Sequence, residues 1–446
     1  METIYAISSG ATKAGVCVIR ISGEFASASL HALTKKPIPA HRMASVRYLY
    51  DGNELLDDAL VIYFEGPNSF TGEDVVELHI HGGRAVIDGV LEALSKIDNF
   101  RLAEPGEFSR RAFENGKMDL TKAEAIADLI DAETKAQKKQ ALRQMEGELG
   151  KLYEGWRKEL KEILAYTEAT IDFADEEDVE NNETNILFKV VKVKNEITEH
   201  LNDKGRGEKL REGLSIAILG SPNAGKSQLL NAIAKRDVAI VSDTAGTTRD
   251  TIDVHLDLNG YPAIISDTAG IREATNDDIE IQGISRALAK AENADLKIIL
   301  IDASAKLEKS DTHNPLNFID ENSIVVLNKC DKDKNMDTLN IVKDKYPNYL
   351  EISALTGQNI DEFLEVLEKE TADRLFSSGT ASITRERHRK FLSNALESLE
   401  RAAEQESMVL QAEDIRMAVR EIGKITGSVE IEELLDIIFS DFCIGK

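Results

Sequence analysis

The run LSIAILGSPNAGKSQLLNAIA, Leu214–Ala234, opens as a short apolar strand, passes through a glycine-bounded loop and continues as a helix with apolar periodicity. Its middle, GSPNAGKS at Gly220–Ser227, matches G-x-x-x-x-G-K-[ST]. Chemistry explains that pattern. Successive backbone amides of such a loop point at phosphate oxygens, Lys226 reaches the β- and γ-phosphates, and Ser227 offers its hydroxyl to Mg²⁺. Asn223, Ala224, Gly225, Lys226, Ser227 and Gln228 are therefore the expected phosphate-binding set.

Further along the chain the pattern completes itself. ISDTAG, Ile265–Gly270, ends a second strand with Asp267, which can hold the Mg²⁺ shell, followed by Thr268, Ala269 and Gly270, whose amide can meet the γ-phosphate. NKCD, comprising Asn328, Lys329, Cys330 and Asp331, follows the apolar strand SIVVL. A carboxylate there accepts two hydrogen bonds from guanine's ring N–H and amino group, which adenine cannot supply, so Asp331 selects guanine. SAL, that is Ser353, Ala354 and Leu355, closes the base pocket. The expected unit is a GTP-hydrolysing P-loop domain. After Gly270 comes Ile271, which cannot orient a water as the glutamine of Ras-type enzymes does. Arg249 is a weak candidate for an arginine finger, and a monovalent cation held by Asn223 and the loop before Thr247 can supply the missing charge.

Around this unit the text changes character. Residues 1–118 carry short alternating runs such as AGVCVIRISG and GEDVVELHIHGG with one helical stretch at Ala85–Ile97, a β-rich α+β pattern. Residues 119–209 read as long helices interrupted by the acidic run Asp172–Glu183. Strands alternate with helices over 210–372, the mark of a mostly parallel sheet, and helical periodicity returns over 373–446 after the polar linker Ser377–Thr384. Amphipathic helices on both sides need a partner face, so they are expected to form one discontinuous domain with the α/β unit inserted.

Composition narrows the functional classes. The 446 residues carry Lys+Arg 54 against Asp+Glu 80, a formal net charge of −26, which disfavours broad coating of nucleic acid. The cationic TRERHRKF, Thr384–Phe391, is expected as a solvated helix face. No apolar stretch approaches the ~18 residues of a membrane helix. No export signal is legible, and a cytoplasmic protein with no membrane partner is expected. Cys17, Cys330 and Cys443 form neither a disulfide framework nor a zinc cluster. His79 and His81 share one side of a strand, without a third metal ligand in view.

These residues together resemble the tRNA modification GTPase MnmE (TrmE) family. Four stretches outside the general GTPase set carry the resemblance: GPNSFTGEDVVELHIHGG at Gly66–Gly83, the block Glu104–Ala132, DTAGTTRD at Asp243–Asp250, and the terminal FCIGK at Phe442–Lys446. The resemblance implies a multidomain fold with a folate-binding β-rich amino-terminal domain, a discontinuous helical domain and an inserted Ras-like G domain. It implies a homodimer working with the flavoprotein MnmG to install an aminomethyl or carboxymethylaminomethyl group on carbon 5 of the wobble uridine of certain tRNAs.

Site residues follow by motif from the same resemblance. Asn223, Ser242, Thr244 and Thr247 would surround K⁺, with Ser227 and Thr248 on Mg²⁺, while Asp243, Ala245 and Gly246 complete the nucleotide-contacting loop. Glu280 would act on the attacking water. Arg20, Glu77, Lys117 and Lys446 would line the pocket for 5-formyltetrahydrofolate or a related reduced folate. A carboxylate suits a pterin's N–H edge, and cations suit the glutamate tail. Cys443 beside Lys446 is a candidate nucleophile or acid/base, or else a small buried residue that docks the tail. Two rival readings are a ribosome-associated GTPase of the Era or EngA kind, and a folate aminomethyltransferase-like enzyme regulated by GTP.

Overall fold

The computed structural model describes residues 2–10, 13–172, 180–221, 223–240, 253–267, 293–307, 315–376, 381–429, 432–440 and 442–445. The chain divides into two compact units. One comprises Met1–Ala127, Gln144–Val193 and Glu397–Lys446; the other comprises Asp128–Arg143 and Lys194–Leu396.

The first unit contains a sheet of β1 (Thr3–Ile7), β2 (Ala14–Ser22), β3 (Ser45–Asp51), β4 (Glu54–Phe64), β5 (Val75–Gly82) and β6 (Phe100–Leu102), in the order β3-β4-β5-β2-β1-β6. Neighbours are antiparallel except β1 and β6. Side chains alternate across the sheet. Cys17, Ile19 and Ile21 of β2 and Val76, Leu78 and Ile80 of β5 form a core with Leu30, Leu33, Val90 and Leu94 of two helices, Ala26–Thr34 and Arg84–Ser95. The opposite face therefore carries Arg20, Ser22, Glu77 and His79.

Only the second of those helices is expected from the sequence; Ala26–Thr34 and a further helix, Glu107–Glu114, are not. The reason is local. ASASLHALT is short and rich in hydroxyl residues, and the other starts within EPGEFS, where Pro105 and Gly106 read as a turn. Burial of Leu30, Leu33 and Phe108 holds them instead.

In the same unit the helix Glu148–Asp172 packs along Met408–Thr426. Trp156, Leu160 and Ile163 on one and Ile415, Val419 and Ile422 on the other are buried at helical spacing. Helices from before and after the inserted sheet thus share a core, as amphipathicity requires.

The second unit is built on β7 (Leu214–Gly220), β8 (Asp253–Leu258), β9 (Tyr261–Asp267), β10 (Leu296–Asp302), β11 (Ser323–Asn328) and β12 (Leu350–Glu351). Their order is β12-β11-β10-β7-β9-β8, and only β8 runs antiparallel to its neighbour. β7 is covered on both faces, with Ile216 and Ile218 in one core and Ala217 and Leu219 in another. That explains its unbroken apolar text. Strand order reverses between β7 and β10, so their carboxyl ends open the crevice where such sheets bind ligands.

Two connectors flank this sheet. The helix Arg206–Glu212 leads into β7, and residues 381–385 lead out to the helix Glu386–Glu404. They touch: a Cβ at Gly207 would collide with Ile383 O, and Ile383 is fully buried. The basic run Thr384–Phe391 departs here from the expected solvated face. Arg389 Nη2 lies 2.7 Å from Glu208 Oε2 and 2.6 Å from Asp203 Oδ1, and Nη1 donates to Leu201 O at 2.9 Å. Arg385 Nη2 lies 2.6 Å from Asp128 Oδ1, and His388 is fully buried. Hydrogen bonds that Arg389 donates to Glu208, and then to Asp203, raise its guanidinium pKa against the opposing effect of burial. These cations are neutralised inside the unit because their acidic partners are distant in sequence.

Candidate functional site

At the carboxyl end of β7 the chain turns through Gly220–Gly225 into the helix Lys226–Ala234. Lys226 Nζ donates to Gly220 O at 2.8 Å and Ser221 O at 3.2 Å, so its ammonium lies over the loop. Asn223 is exposed and adopts φ 64°, a left-handed conformation that asparagine tolerates. Ala224 is buried, whereas Ser227 and Gln228 are exposed at the start of the helix.

Asn328 ties three loops together. Its buried Nδ2 donates to Ala224 O at 2.7 Å, and its Oδ1 accepts from Ala354 N at 2.9 Å. One amide therefore fixes the phosphate loop against the SAL turn. Lys329 Nζ adds a second link, donating to Asn223 O and to Asp302 Oδ2, each at 2.6 Å. Burial pushes the Asp302 carboxyl pKa up, but Lys329 and Ser304 outweigh it and hold the pKa below the usual range. Asp302 is a residue the sequence reading missed. Its signal was available: LKIILID ends an apolar strand with an acid, as IISD does in β9.

The residues expected to select the base lie where these links hold them. Cys330 N donates to Ile352 O at 3.1 Å, and burial raises its thiol pKa. Asp331 is exposed beside it. Ser353 is fully buried and its Oγ accepts from Thr356 N at 3.2 Å, while Leu355 is 68% exposed. Asp267 pairs in register with Ile218, close to the phosphate loop. Ser242, Asp243, Thr244, Ala245, Gly246, Thr247, Thr248, Thr268, Ala269, Gly270 and Glu280 lie outside the described residues.

A second constellation occupies the first unit. Arg20 stands opposite Glu77 in the β2–β5 register, with Nε 3.1 Å and Nη2 2.9 Å from Glu77 Oε1. The guanidinium lies 5.2 Å from the Phe70 ring centroid and 5.8 Å from that of Phe108. His79 Nε2, 3.5 Å from Glu77 Oε2, is buried without a hydrogen-bond partner. Phe70 and Phe108 are the residues the sequence reading did not assign here.

Ser22 Oγ joins Thr71 Oγ1 at 2.7 Å and donates to Glu73 Oε2 at 2.8 Å, anchoring the loop that carries Phe70. Arg111 Nη1 reaches the same Glu73 oxygen at 3.1 Å, and its Nη2 reaches Glu107 Oε1 at 2.9 Å. Burial raises the Glu107 carboxyl pKa, yet Arg101, the Glu104 amide and Arg111 hold it below the usual range. Lys117 is exposed in the turn after Glu107–Glu114, where its Cε would lie 3.2 Å from a Cβ at Gly72.

The carboxyl-terminal tail joins this constellation. Ser8 Oγ donates to Gly445 O at 2.7 Å, Ile444 bridges Pro105, and Gly106 N donates to Cys443 O at 3.4 Å. Ala6, two residues before Ser8, pairs with Arg20. Cys443 docks through its backbone and its side chain is exposed, unlike the buried docking residue that was one expectation. Lys446 lies outside the described residues. Among the described residues no cluster of three or more His, Cys, Asp or Glu is arranged to hold a metal, and His81 instead pairs with Asp57 at 2.7 Å.

Family comparisons bear on these sites. The family model described as MnmE helical domain matches residues 120–443, and that described as GTP-binding protein TrmE N-terminus matches residues 3–117. A tRNA modification GTPase MnmE of Parvibaculum lavamentivorans is 49% identical over 456 residues, covering 100% of each chain. One of Paramagnetospirillum magneticum is 48% identical over 446 residues, again covering 100% of each. Among solved structures, Aquifex aeolicus Era bound to GDP.AlF4- is 28% identical over 44% of this chain and 69% of that chain, with a TM-score of 0.29. With two family models spanning nearly its whole length and relatives close to half identical from end to end, this chain belongs to the MnmE (TrmE) family of tRNA modification GTPases.

Proposed function

We propose that this GTP hydrolase is potassium-dependent and, with the flavoprotein MnmG and a reduced-folate one-carbon donor, adds an aminomethyl or carboxymethylaminomethyl group to carbon 5 of the wobble uridine of certain tRNAs. It acts as a cytoplasmic homodimer. Asn223, Ser242, Thr244 and Thr247 hold K⁺, Ser227 and Thr248 hold Mg²⁺, and Glu280 orients the attacking water. Asp331 with Asn328 and Ser353–Leu355 receives guanine, and Lys226 neutralises developing phosphate charge. Arg20, Glu77, Lys117 and Lys446 bind the folate, and Cys443 serves the carbon-transfer chemistry.

The observation that carries the folate assignment is the grouping of Arg20, Glu77 and His79 beside Phe70 and Phe108. These residues fit such a ligand. A carboxylate meets a pterin's N–H edge, aromatic rings lie beside the polar pair, and the unsatisfied His79 Nε2 is a buried polar atom that a ligand would satisfy. When bound, the folate supplies the one-carbon unit; this chain's residues orient it and hold its charge.

Mass spectrometry of wobble nucleosides tests the reading. Purified protein, flavoprotein, tRNA, GTP and a defined reduced folate should yield the modified uridine with potassium present. Uridine unchanged under those conditions overturns the assignment.

A further inference from the structure

The hairpin β8–β9 joins the two phosphate-sensing stretches in sequence, with Ser242–Thr248 upstream of Asp253 and Thr268–Gly270 downstream of Asp267. β8 also anchors the chain that enters the first stretch. Ile240 N donates to His255 O at 2.9 Å, and Asp257 N donates to Val238 O at 2.8 Å. A shift of the hairpin therefore carries with it the residues that lead into both stretches, Ile240 before the first and Asp267 before the second.

That hairpin is held by a segment far outside the contiguous G domain. Ala136 N donates to Gly260 O at the hairpin tip at 2.9 Å, and Glu133 Oε2 lies 3.0 Å from His255 Nδ1 on β8. The helix behind these contacts, Lys135–Met145, is itself fixed to the connector before β7. Gln137 Nε2 donates to Arg211 O at 2.9 Å, and Gln140 Nε2 to Gly207 O at 3.0 Å. One helix thus grips the hairpin at its start and, along its length, the connector that leads into the strand bearing the phosphate loop. No general need of a G domain explains this, because all four contacts come from residues 133–140.

We propose that Glu133 and Ala136 are positioning residues for GTP hydrolysis, setting the β8–β9 hairpin against the phosphate loop. The proposal rests on GTP hydrolysis alone and stands apart from the folate assignment. Neither residue touches nucleotide; both act through the strand pair. Releasing the tip leaves the phosphate loop intact while loosening the strand pair through which both residues act.

Four variants of the full chain test this: Ala136→Pro, Glu133→Gln, His255→Ala and the Glu133→Gln/His255→Ala double. Ala136 is the second residue of its helix, where the amide has no intrahelical acceptor, so proline deletes the bond to Gly260 and spares the helix. The expected result is a kcat for GTP lowered about three- to tenfold, with KM and GDP affinity within about twofold of the original. Glu133→Gln removes the charge from the contact and His255→Ala removes the contact itself, so the double variant should be no worse than the His255→Ala single. A kcat at or above the original, a parallel loss of GDP affinity, or additive effects of the two single changes overturns the proposal. Glu133→Gln is near-isosteric, so the test stands even if Ala136→Pro folds poorly.

Discussion

Asn328 reaches across 104 positions to Ala224, its buried Nδ2 lying 2.7 Å from the carbonyl oxygen there. The same side chain takes the Ala354 amide. The segments expected to recognise guanine and to bind phosphate are therefore joined by one shared polar group. Asn328→Ala leaves a buried carbonyl and a buried amide without partners, at about 1–3 kcal/mol each. GDP affinity measured by calorimetry should fall at least about tenfold, with the melting temperature also reduced. Unchanged affinity would show that the two loops hold their places without it.

Asp331 is exposed beside the half-buried Cys330, free to meet a base edge from solvent. Asp331→Asn places an amide donor where guanine presents its N–H groups. Competition assays should then show preference moving from GTP toward xanthosine triphosphate. Retained selectivity for GTP would mean another group reads the base.

Gly445 holds φ +96°, and a Cβ there would collide with Ile7 O. Gly445→Ala should release the tail from its seat beside β1, because both the backbone conformation and the contact forbid a side chain. Carboxypeptidase should then trim the tail faster, and wobble modification should fall more than about tenfold while GTP hydrolysis is kept. Equal trimming of both proteins would contradict the docking.

Replacing Arg20 by alanine removes the cation from between Phe70 and Phe108 and leaves Glu77 without its partner. Binding of reduced folate, followed by fluorescence titration, should weaken about tenfold or more, and GTP hydrolysis should be unaffected. Unaltered folate binding would move the pocket elsewhere.

His200 lies in the last turn of the helix Glu180–Leu201, and its pKa is lowered to about 4. Burial is the main cause, Arg389 and His388 act the same way, and Asp203 opposes them. In the unfolded chain the imidazole titrates near the ordinary value of about 6.5. Between those values the unfolded state binds the extra proton, so stability rises with pH across the window and is lost as pH falls through it. Denaturant melts at about pH 4.5 to 6.5 should slope by no more than ~1.4 kcal/mol per pH unit from this group. His200→Gln should flatten that slope.

The nucleotide site is legible in sequence because each of its motifs is contiguous and chemically committed. GSPNAGKS, ISDTAG, NKCD and SAL each state a role before any fold is known. What joins them is not legible. The Asn328 and Lys329 bonds to the phosphate loop span more than a hundred residues, and local text carries no sign of them. The same distance hides the partners of Arg385 and Arg389, whose run reads as a solvated face until Asp128, Asp203 and Glu208 arrive from elsewhere. Likewise Arg20 and Glu77 read as ordinary surface charges without the family resemblance. Strand alternation puts them on the face away from the two-helix core, but only the sheet register sets them side by side. The missed helix Ala26–Thr34 is held by its contacts with the sheet, information that nine residues cannot contain.

The contact of Gly207 with Ile383 has a structural corollary. A domain whose incoming and outgoing threads run side by side can be gained, lost or exchanged as a cassette, because closing the cut requires only a short splice. The helices on either side need not be torn apart when the insert goes. Such a module can keep an ancestry of its own, with Gly207 and Ile383 marking where its two threads meet.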